Sequence, residues 1–409
     1  MKQMGAIPTG FSANDAGHLV IGGEDVETLI ARAGDTPLFV YDFALIRARI
    51  ASLREALPPE VAVHYAIKAN PMPELVAEMA LLVDGLDVAS EGEMGVALGA
   101  GARHISFAGP GKRDRELEAA ICAGVTLNLE SEGEATRALG IAERLGTTPK
   151  MAVRVNPNFD LKGSGMRMGG GAKPFGVDSD RAASLVCHIR ENGADWRGFH
   201  IFAGSQALDA TAIAETQRQT IQLAARLADE IGVTPPLVNL GGGLGIPYFP
   251  GDTPVDVTFV GRELAESLRK RPEILTGSAF AIELGRYLVG EAGVYLTRIL
   301  DRKTSHGETY LVTDGGLHHQ LAASGNFGTV VRRNYPIAVA SRFASEPEEV
   351  ASVVGCLCTP LDRLGDQVHL PRAEVGDVVA VFMAGAYGLT ASPGNFLGHP
   401  SAREMVVNG

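Results

Sequence analysis

The chain has 409 residues, 45% hydrophobic and 21% charged, which is the composition of an ordinary globular protein. The net charge of −12 argues against the basic face that nucleic-acid binding requires. No apolar run approaches a membrane span, and Met1–Pro8 lacks the long apolar core of a signal peptide. We expect a reduced, cytoplasmic protein without a bound metal, because no disulfide framework or paired zinc motif is formed by Cys122, Cys187, Cys356 and Cys358.

Short β-prone runs alternate with helical patterns through the first two thirds of the chain. The predicted strands are Val61–Ile67, Gly85–Val88, Ile105–Ala108, Thr126–Leu129, Met151–Val155, Gly198–Phe202, Leu237–Leu240 and Phe280–Glu283. The predicted helices are Pro73–Leu82, Glu91–Leu98, Asp114–Ala123, Glu132–Arg144, Asp180–Glu191, Ala210–Ile231 and Phe259–Arg269. This alternation predicts an α/β protein with a closed (β/α)8 TIM barrel, which takes roughly 250 residues. The alternative is a doubly wound open sheet, which does not usually need eight units in this order.

The pattern changes after Arg286, where strands follow one another without long helices. These are Gly293–Leu300, Tyr310–Thr313, Val350–Val354 and Asp377–Phe382. Residues before about Leu38 also look extended, so we expect them to complete a C-terminal all-β domain. The predicted domains are a barrel over 39–286 and a β domain over 1–38 and 287–409. The Gly-rich stretch Gly163–Lys173 is predicted to be a mobile loop at the barrel mouth.

Polar side chains follow several predicted strands, at the rim where barrel enzymes carry out chemistry. The first strand ends at Lys68. A partly desolvated lysine loses basicity and attacks carbonyls as a free amine, although a strand-end lysine also fits a side chain that extends its charge into solvent. The other candidates at strand ends are Asp87, Arg154, Asn156, His200, Ser205, Gly241, Gly242, Gly243, Glu283, Gly285 and Arg286.

A lysine, a histidine, a carboxylate and glycines that expose backbone N–H groups together suggest pyridoxal 5′-phosphate. Lys68 would form the Schiff base, Glu283 would keep the pyridine nitrogen protonated, and His200 would stack on the ring. The glycines would hold the phosphate. Taken singly, His200 also fits a satisfied core histidine, Glu283 an ion pair with Arg286, and the glycine run a plain turn. Their joint placement at one barrel rim favours the cofactor.

The motifs, in this order, make the chain resemble the fold-type III pyridoxal-phosphate decarboxylases, which include diaminopimelate and ornithine decarboxylases. The resemblance covers nearly the whole chain. The motifs are Tyr65–Asn70, Asp87–Glu93, Arg154–Pro157, Lys173–Gly176, His200–Gln206, Asn239–Gly243, Glu283–Arg286, Cys358–Asp362 and Gly385–Gly388. The cofactor-binding residues expected from the strand ends and from this resemblance are Lys68, Asp87, Arg154, His200, Ser205, Gly241, Gly242, Gly243, Glu283, Gly285, Arg286 and Tyr387.

The resemblance also implies a homodimer with active sites shared across the interface. Cys358 and Asp362 would come from the partner subunit, with Cys358 protonating the carbanion that CO₂ loss leaves. Without the resemblance, Cys358 would be taken as a small buried hydrophobe. The implied catalytic residues are Lys68, His200 and Cys358, and the implied substrate-binding residues are Arg286, Thr359, Asp362 and Tyr387.

Departures from the family pattern concern the substrate. Diaminopimelate decarboxylases usually have a glutamate after the cysteine, and here Thr359 follows Cys358. They also have an Arg-Pro-x-x-Tyr segment that grips the far carboxylate, and the corresponding Leu317–Ser324 contains no Arg-Pro. Arg332 and Arg333 come later and would substitute only if the loop folds back. A missing arginine matters because few other side chains can form the two parallel hydrogen bonds that a planar guanidinium makes to a carboxylate.

The sequence hypothesis is therefore a pyridoxal-phosphate-dependent decarboxylase for a substrate other than free meso-diaminopimelate, such as an amino acid tethered to a carrier protein. The longer His200–Gln206 motif and the segment Ser392–Pro400 resemble a subgroup from secondary-metabolism or exopolysaccharide gene clusters. One alternative is a true diaminopimelate decarboxylase of lysine biosynthesis. Another is an amino-acid racemase, which would favour an arginine where Glu283 stands. A non-catalytic regulator would have lost residues such as Lys68.

Overall fold

The computed structural model describes residues 1–325 and 333–409, apart from the side chain of Arg167. The chain forms two compact units. The β unit comprises Met1–Arg49, Pro247–Thr253 and Arg286–Gly409, and the barrel unit comprises Ile50–Ile246 and Pro254–Gly285. The sequence-based boundary after residue 38 differs from this division. The reason is that Leu38–Asp42 pairs with Gly293–Ser305, which draws residues 39–49 into the β unit.

The barrel unit is a closed ring of parallel strands, which confirms the predicted fold class. Each strand pairs with its neighbour in chain order, and the last pairs with the first. In the described part of the chain the eight strands are β1 (Val61–Ala66), β2 (Gly85–Val88), β3 (Ile105–Phe107), β4 (Thr126–Leu129), β5 (Lys150–Asn156), β6 (Asp195–Ile201), β7 (Leu237–Asn239) and β8 (Ala279–Leu284). Every predicted barrel strand overlaps one of these.

Helices of the barrel unit begin and end where the sequence supplies caps. Ser90, Ser131 and Asp209 accept hydrogen bonds from the first free backbone N–H groups of their helices. The longest helix ends at Gly232, whose left-handed φ of 73° closes its last turn. The bounds are α1 (Pro73–Leu82), α2 (Glu91–Gly99), α3 (Asp114–Cys122), α4 (Glu132–Leu145), α5 (Ala182–Glu191), α6 (Ala210–Ile231) and α7 (Val257–Arg269).

The β unit is built on a mixed sheet with a small sheet at the N-terminus. The sheet strands are Leu38–Asp42, Gly293–Ser305, Glu308–Thr313, Ile337–Val339, Glu349–Val354, Arg363–Leu370, Val378–Val381 and Arg403–Val407. Leu38–Asp42 runs antiparallel to Gly293–Ser305 and parallel to Arg403–Val407. The small sheet comprises Ser12–Ala13, Leu19–Ile21 and Glu24–Asp25.

The prediction that residues before Leu38 are extended and complete the β domain is wrong in part. Asp25 caps a helix over Val26–Ala33, which ends at Gly34 with φ 97°. The strand that joins the main sheet is Leu38–Asp42. A further helix spans Phe43–Ala56, and a short one spans Arg286–Val289. None of the described helices has both the length and the apolar character needed to cross a bilayer.

Candidate active site

Lys68 lies just beyond the carboxyl end of β1, in a short 3-10 turn over Ile67–Ala69. Its side chain is 44% exposed, and its Nζ is 3.9 Å from Oε1 of Glu283. The same amine lies 5.6 Å from the centre of the Phe202 ring. The barrel unit thus presents an accessible amine beside a buried carboxylate, which is what Schiff-base chemistry requires of a lysine.

Glu283 and His200 form a buried pair at the ends of β8 and β6. The Nε2 of His200 lies 2.7 Å from Oε2 of Glu283, and the two side chains are only 3% and 6% exposed. Burial alone would raise the pKa of Glu283, but the hydrogen bond and charge of His200, followed by Lys68 and Arg154, lower it. Glu283 is therefore held as an anion. The Nδ1 of His200 has no hydrogen-bond partner among the described residues.

Asp87 belongs to a buried polar chain inside the barrel. Ser106 donates its hydroxyl to one oxygen of Asp87, and Asn128 donates to that hydroxyl at 3.1 Å. The other oxygen of Asp87 lies 3.4 Å from Nδ1 of His64, too poorly aligned for a hydrogen bond. Burial is the largest single effect and lowers the pKa of His64, but the charge and close approach of Asp87, together with the charges of Glu283 and Asp84, raise it overall.

Arg154 is fixed by Glu130, a residue that the sequence analysis did not single out. Its Nη1 lies 2.7 Å from Oε1 of Glu130, and both side chains are buried. The backbone N–H groups of Gly109 and Gly176 also donate to Glu130. Burial raises the pKa of Glu130, but Arg154 and then Lys112 lower it overall. Its position just after β4 was the available signal, since the other strand ends supplied candidates.

The Gly241–Gly243 turn after β7 has no room for side chains. A Cβ on Gly242 would lie 1.8 Å from the backbone oxygen of Glu283, and Gly241 and Gly243 have φ of 70° and 98°. The N–H groups of Gly242 and Gly243 donate no hydrogen bond within the described residues. Free amide donors in a turn that excludes side chains form a cradle for an anion.

Ser205 lies in a short strand that pairs with the predicted mouth loop. Met166 lies opposite Ser205 and Arg167 opposite Gly204 in an antiparallel pair. Part of the segment Gly163–Lys173 is thus a strand rather than an open loop. Gly285, at the end of β8, approaches β1 closely, since a Cβ there would lie 2.9 Å from the Cβ of Ala69.

Arg286 and Tyr387 are neighbours within the β unit. The guanidinium carbon of Arg286 lies 4.8 Å from the centre of the Tyr387 ring, and Nη1 donates to the hydroxyl of Tyr248 at 3.3 Å. Tyr335 packs on Tyr248 with ring centres 4.7 Å apart. The Nε of Arg286 has no partner among the described residues and remains available for a ligand. Sequence analysis missed Tyr248, which no motif marks.

Cys358, Thr359 and Asp362 lie in one turn of the β unit after the strand Glu349–Val354. Cys358 is an exposed free thiol. Asp362 is buried and accepts hydrogen bonds from the backbone N–H groups of Leu317 at 2.6 Å and Leu357 at 2.9 Å. Asp362 therefore organises the turn that exposes Cys358.

Arg332 and Arg333 are the two arginines that were considered as replacements for the missing Arg-Pro segment. Arg332 lies outside the described residues. Arg333 contacts Asp252 at 3.4 Å, and its guanidinium carbon lies 3.9 Å from the centre of the Phe249 ring. Arg333 is thus already engaged within the β unit.

One cavity of the barrel unit opens at the other end of the strands from Lys68. Its volume is about 480 Å³. It is bordered by the amino ends of β1, β4, β5 and β7 at Val61, Thr126, Lys150 and Leu237. Barrel enzymes carry out chemistry at the carboxyl ends of the strands, so this cavity is not the candidate active site.

The residues of the barrel unit fit pyridoxal 5′-phosphate. The cofactor needs an amine, an anion for its protonated pyridine nitrogen and donors for its phosphate. Lys68, Glu283 and the N–H groups of Gly242 and Gly243 have these properties. The unpartnered Nδ1 of His200 is a further buried polar atom that a ligand would satisfy.

The family model for the pyridoxal binding domain of pyridoxal-dependent decarboxylases matches residues 43–290. The chain belongs to this family. It is 35% identical to the L-glutamyl-[BtrI acyl-carrier protein] decarboxylase of Niallia circulans. The alignment covers 93% of this chain and 90% of that protein. It is 31% identical to the diaminopimelate decarboxylase of Archaeoglobus fulgidus, with 98% and 94% of the two chains covered.

Solved structures agree with this assignment. The diaminopimelate decarboxylase of M. jannaschii, in co-complex with L-lysine, superposes with a TM-score of 0.88 at 27% identity, covering 97% of this chain and 92% of that one. The chain is therefore a pyridoxal-phosphate-dependent carboxy-lyase, as the sequence resemblance implied.

Proposed function

We propose that this decarboxylase acts on an amino acid other than free meso-diaminopimelate, presented as an acyl group on a carrier protein. The observation that carries the proposal is that the described residues offer no free arginine where diaminopimelate decarboxylases grip the far carboxylate. Leu317–Ser324 contains none, and Arg333 is engaged by Asp252 and Phe249. The relative from Niallia circulans, named for a carrier-linked L-glutamyl substrate, supports the same substrate class.

The polar side chains at the centre of Leu317–Ser324 are buried, and none of them is an arginine. His318, His319 and Gln320 are each at most 1% exposed. His319 is held by the Tyr295 hydroxyl and by the backbone oxygen of Pro400. A substrate whose far end is an amide or thioester has no second carboxylate to pair, so a site without that arginine suits it.

The chain's own residues divide the work of decarboxylation. When bound, pyridoxal phosphate supplies an electron sink for the electrons that CO₂ leaves behind. Lys68 would hold the cofactor through its amine, and Glu283 would keep the pyridine nitrogen protonated. His200 would contact the ring. The thiol of Cys358 would donate the proton that the substrate α-carbon takes up in place of CO₂.

Phosphate and substrate recognition are assigned to the remaining candidates. The amides of Gly241–Gly243, together with Ser205 and Gly285, would hold the phosphate. Asp87 and Arg154 would shape the cofactor pocket from the barrel interior. Arg286, Tyr387, Thr359 and Asp362 would contact the substrate or the phosphate.

We further propose a homodimer in which Cys358 of the partner subunit completes each catalytic set. The exposure of Cys358 in the single chain supports this, since an exposed thiol is accessible to the site of a second subunit. The free state of all four cysteines supports a reducing, cytoplasmic location.

The test is CO₂ release by the cofactor-loaded enzyme from three substrates: free meso-diaminopimelate, free L-glutamate, and L-glutamate joined to pantetheine as a thioester through its side-chain carboxyl, which leaves the α-carboxylate free. We expect turnover of the thioester to be at least about 100-fold above that of either free amino acid. This is the size of effect expected when a charged group is left without its hydrogen-bond partner. Brisk turnover of free meso-diaminopimelate would contradict the proposal and would indicate a diaminopimelate decarboxylase of lysine biosynthesis.

Lys68→Ala is the matched control for the chemistry. It should lose both CO₂ release and the visible absorbance of lysine-bound cofactor, because no other described amine lies near Glu283. An unchanged cofactor spectrum in this variant would contradict the assignment of Lys68. Lys150→Ala, at the opposite end of the barrel, should leave both readouts unchanged.

A further inference from the structure

Three potential metal ligands converge in the β unit, apart from the residues assigned to the cofactor. They are His318, Cys356 and His399, and their ligand atoms all lie within 4.8 Å of one another. The Sγ of Cys356 is 3.7 Å from Nδ1 of His399. Each ligand comes from a different segment: His318 follows Glu308–Thr313, Cys356 follows Glu349–Val354, and His399 precedes Arg403–Val407.

His318 is the residue that calls for an explanation. It is fully buried, and neither ring nitrogen has a hydrogen-bond partner among the described residues. Leaving a buried polar atom unpaired destabilises the folded protein, because the atom has lost its hydrogen bonds to water. The adjacent His319 shows the ordinary arrangement, with Nδ1 at 3.0 Å from the Tyr295 hydroxyl and Nε2 at 2.9 Å from the Pro400 oxygen.

We propose that His318, Cys356 and His399 bind one Zn²⁺ ion, with a fourth position left for water. Tetrahedral zinc with bonds of about 2.3 Å to sulfur and about 2.0 Å to nitrogen sets ligand separations of about 3.3–3.6 Å. The Cys356–His399 separation of 3.7 Å is close to this range, and the other ligand atoms need to approach by about 1.5 Å at most.

The chemistry of the three donors selects zinc. One thiolate and two imidazoles suit a borderline-soft ion and not Mg²⁺ or Ca²⁺, which prefer oxygen.

The position of the ion gives it a structural consequence. Cys356 stands two residues before Cys358, in the turn that Asp362 organises. Zinc bound to Cys356 would fix this turn to the C-terminal segment through His399. The site would correct the expectation of a metal-free protein, because the three ligands come from segments far apart in the sequence and form no paired cysteine motif.

The experiment measures zinc binding by the purified, cofactor-loaded enzyme. The protein is incubated with Zn²⁺, freed of excess ion by gel filtration, and analysed for metal by mass spectrometry. We expect one zinc per chain. His318→Gln, Cys356→Ser and His399→Ala should each weaken binding by about 100-fold or more, while the controls His369→Ala and Cys187→Ser should bind as the parent does.

A second readout does not depend on the affinity of any one variant. Co²⁺ in place of zinc should give a sulfur-to-cobalt charge-transfer band that disappears in Cys356→Ser and persists in Cys187→Ser. Zinc should also raise the melting temperature of the parent but not of Cys356→Ser, whose small change leaves the fold intact. A parent enzyme without stoichiometric zinc, or any of the three ligand variants that retains it, would overturn the proposal.

Discussion

Glu283 carries its charge in one of the most buried places of the barrel unit. An isolated carboxylate at such a depth would take up a proton, yet His200 at 2.7 Å and Lys68 at 3.9 Å keep it ionised. A fixed anion there is ready to hold a pyridine nitrogen in its protonated state. The charge itself, beyond the shape of the side chain, is therefore what the chemistry requires.

Glu283→Gln tests this requirement because it keeps the shape and an oxygen for His200 while removing the charge. We expect kcat/KM for CO₂ release to fall by about 100-fold to 1000-fold, the range seen when one preorganised electrostatic contact is lost. Rates are compared at equal cofactor content, judged by absorbance. Glu266→Gln, at an exposed ion pair, is the control. Normal turnover in Glu283→Gln would show that the charge of Glu283 is not needed at the pyridine nitrogen.

Protonation of the buried His64 makes the stability of the folded protein depend on pH. Its pKa in the folded protein is raised above 6.5, so the folded state binds the proton more tightly than the unfolded chain does. The stabilisation is complete below pH 6.5 and is lost as pH rises through the folded pKa. We expect the free energy of unfolding of the parent to exceed that of His64→Gln by an amount that shrinks over this range.

Urea titrations at several pH values measure that difference. His306→Ala, at an exposed turn, serves as the histidine control and should leave the pH dependence of the parent unchanged. A difference between parent and His64→Gln that stays constant from pH 6 to pH 9 would show that the proton on His64 does not stabilise the fold.

At the scale of the elements, the turn Gly241–Gly243 ties the end of β7 to the end of β8. The N–H of Glu283 donates to the oxygen of Gly241 at 2.8 Å, and the N–H of Gly241 donates to Oδ1 of Asn239 at 2.9 Å. The turn that would bind phosphate is thus bonded to the residue that would bind the ring nitrogen.

Gly242→Ala should disturb both functions at once. The new Cβ would lie 1.8 Å from the oxygen of Glu283, so the turn must move. We expect a loss of stability of about 1–3 kcal/mol and a weaker affinity for the cofactor, measured by urea unfolding and by absorbance titration. Gly277→Ala is the matched control, because its Cβ would meet its nearest atom at 3.6 Å. Cofactor affinity equal to that of the parent would argue against a phosphate cradle at this turn.

Elements with a strong local signal could be predicted from the sequence, and others could not. The barrel strands and helices were predictable because apolar runs and caps repeat at regular intervals. The strand Arg363–Leu370 was missed since Gly365 and Asp366 lower its β propensity. Ile337–Val339 is too short to show a period. Glu130 was missed because its partner Arg154 is known only once β4 and β5 are paired.

At the scale of the whole molecule, the candidate residues belong to two different units of the chain. Lys68, His200 and Glu283 lie in the barrel unit, and Cys358 and Tyr387 lie in the β unit. The sequence motifs named these residues in both units, but motif spacing says nothing about which subunit supplies each one. Only the assembled oligomer can answer that.

Mixing two inactive variants answers it. Lys68→Ala and Cys358→Ala should each be inactive alone if both residues are required. Combined in equal amounts under conditions that exchange subunits, they should recover about one quarter of the parent activity, since half of the dimers gain one intact shared site. Cys187→Ala mixed with parent is the control for the exchange procedure. No recovery, despite demonstrated heterodimers, would place Lys68 and Cys358 of the same subunit in one site.

The sheet pairing of Leu38–Asp42 has a consequence for biosynthesis. This strand leaves the ribosome early, but its two neighbours, Gly293–Ser305 and Arg403–Val407, are translated far later. The whole barrel can form in the interval, while an apolar strand waits with both edges unpaired. Such a strand is a template for misassembly between nascent chains. Production of this protein is therefore expected to depend on chaperones that cover the N-terminal segment until synthesis ends.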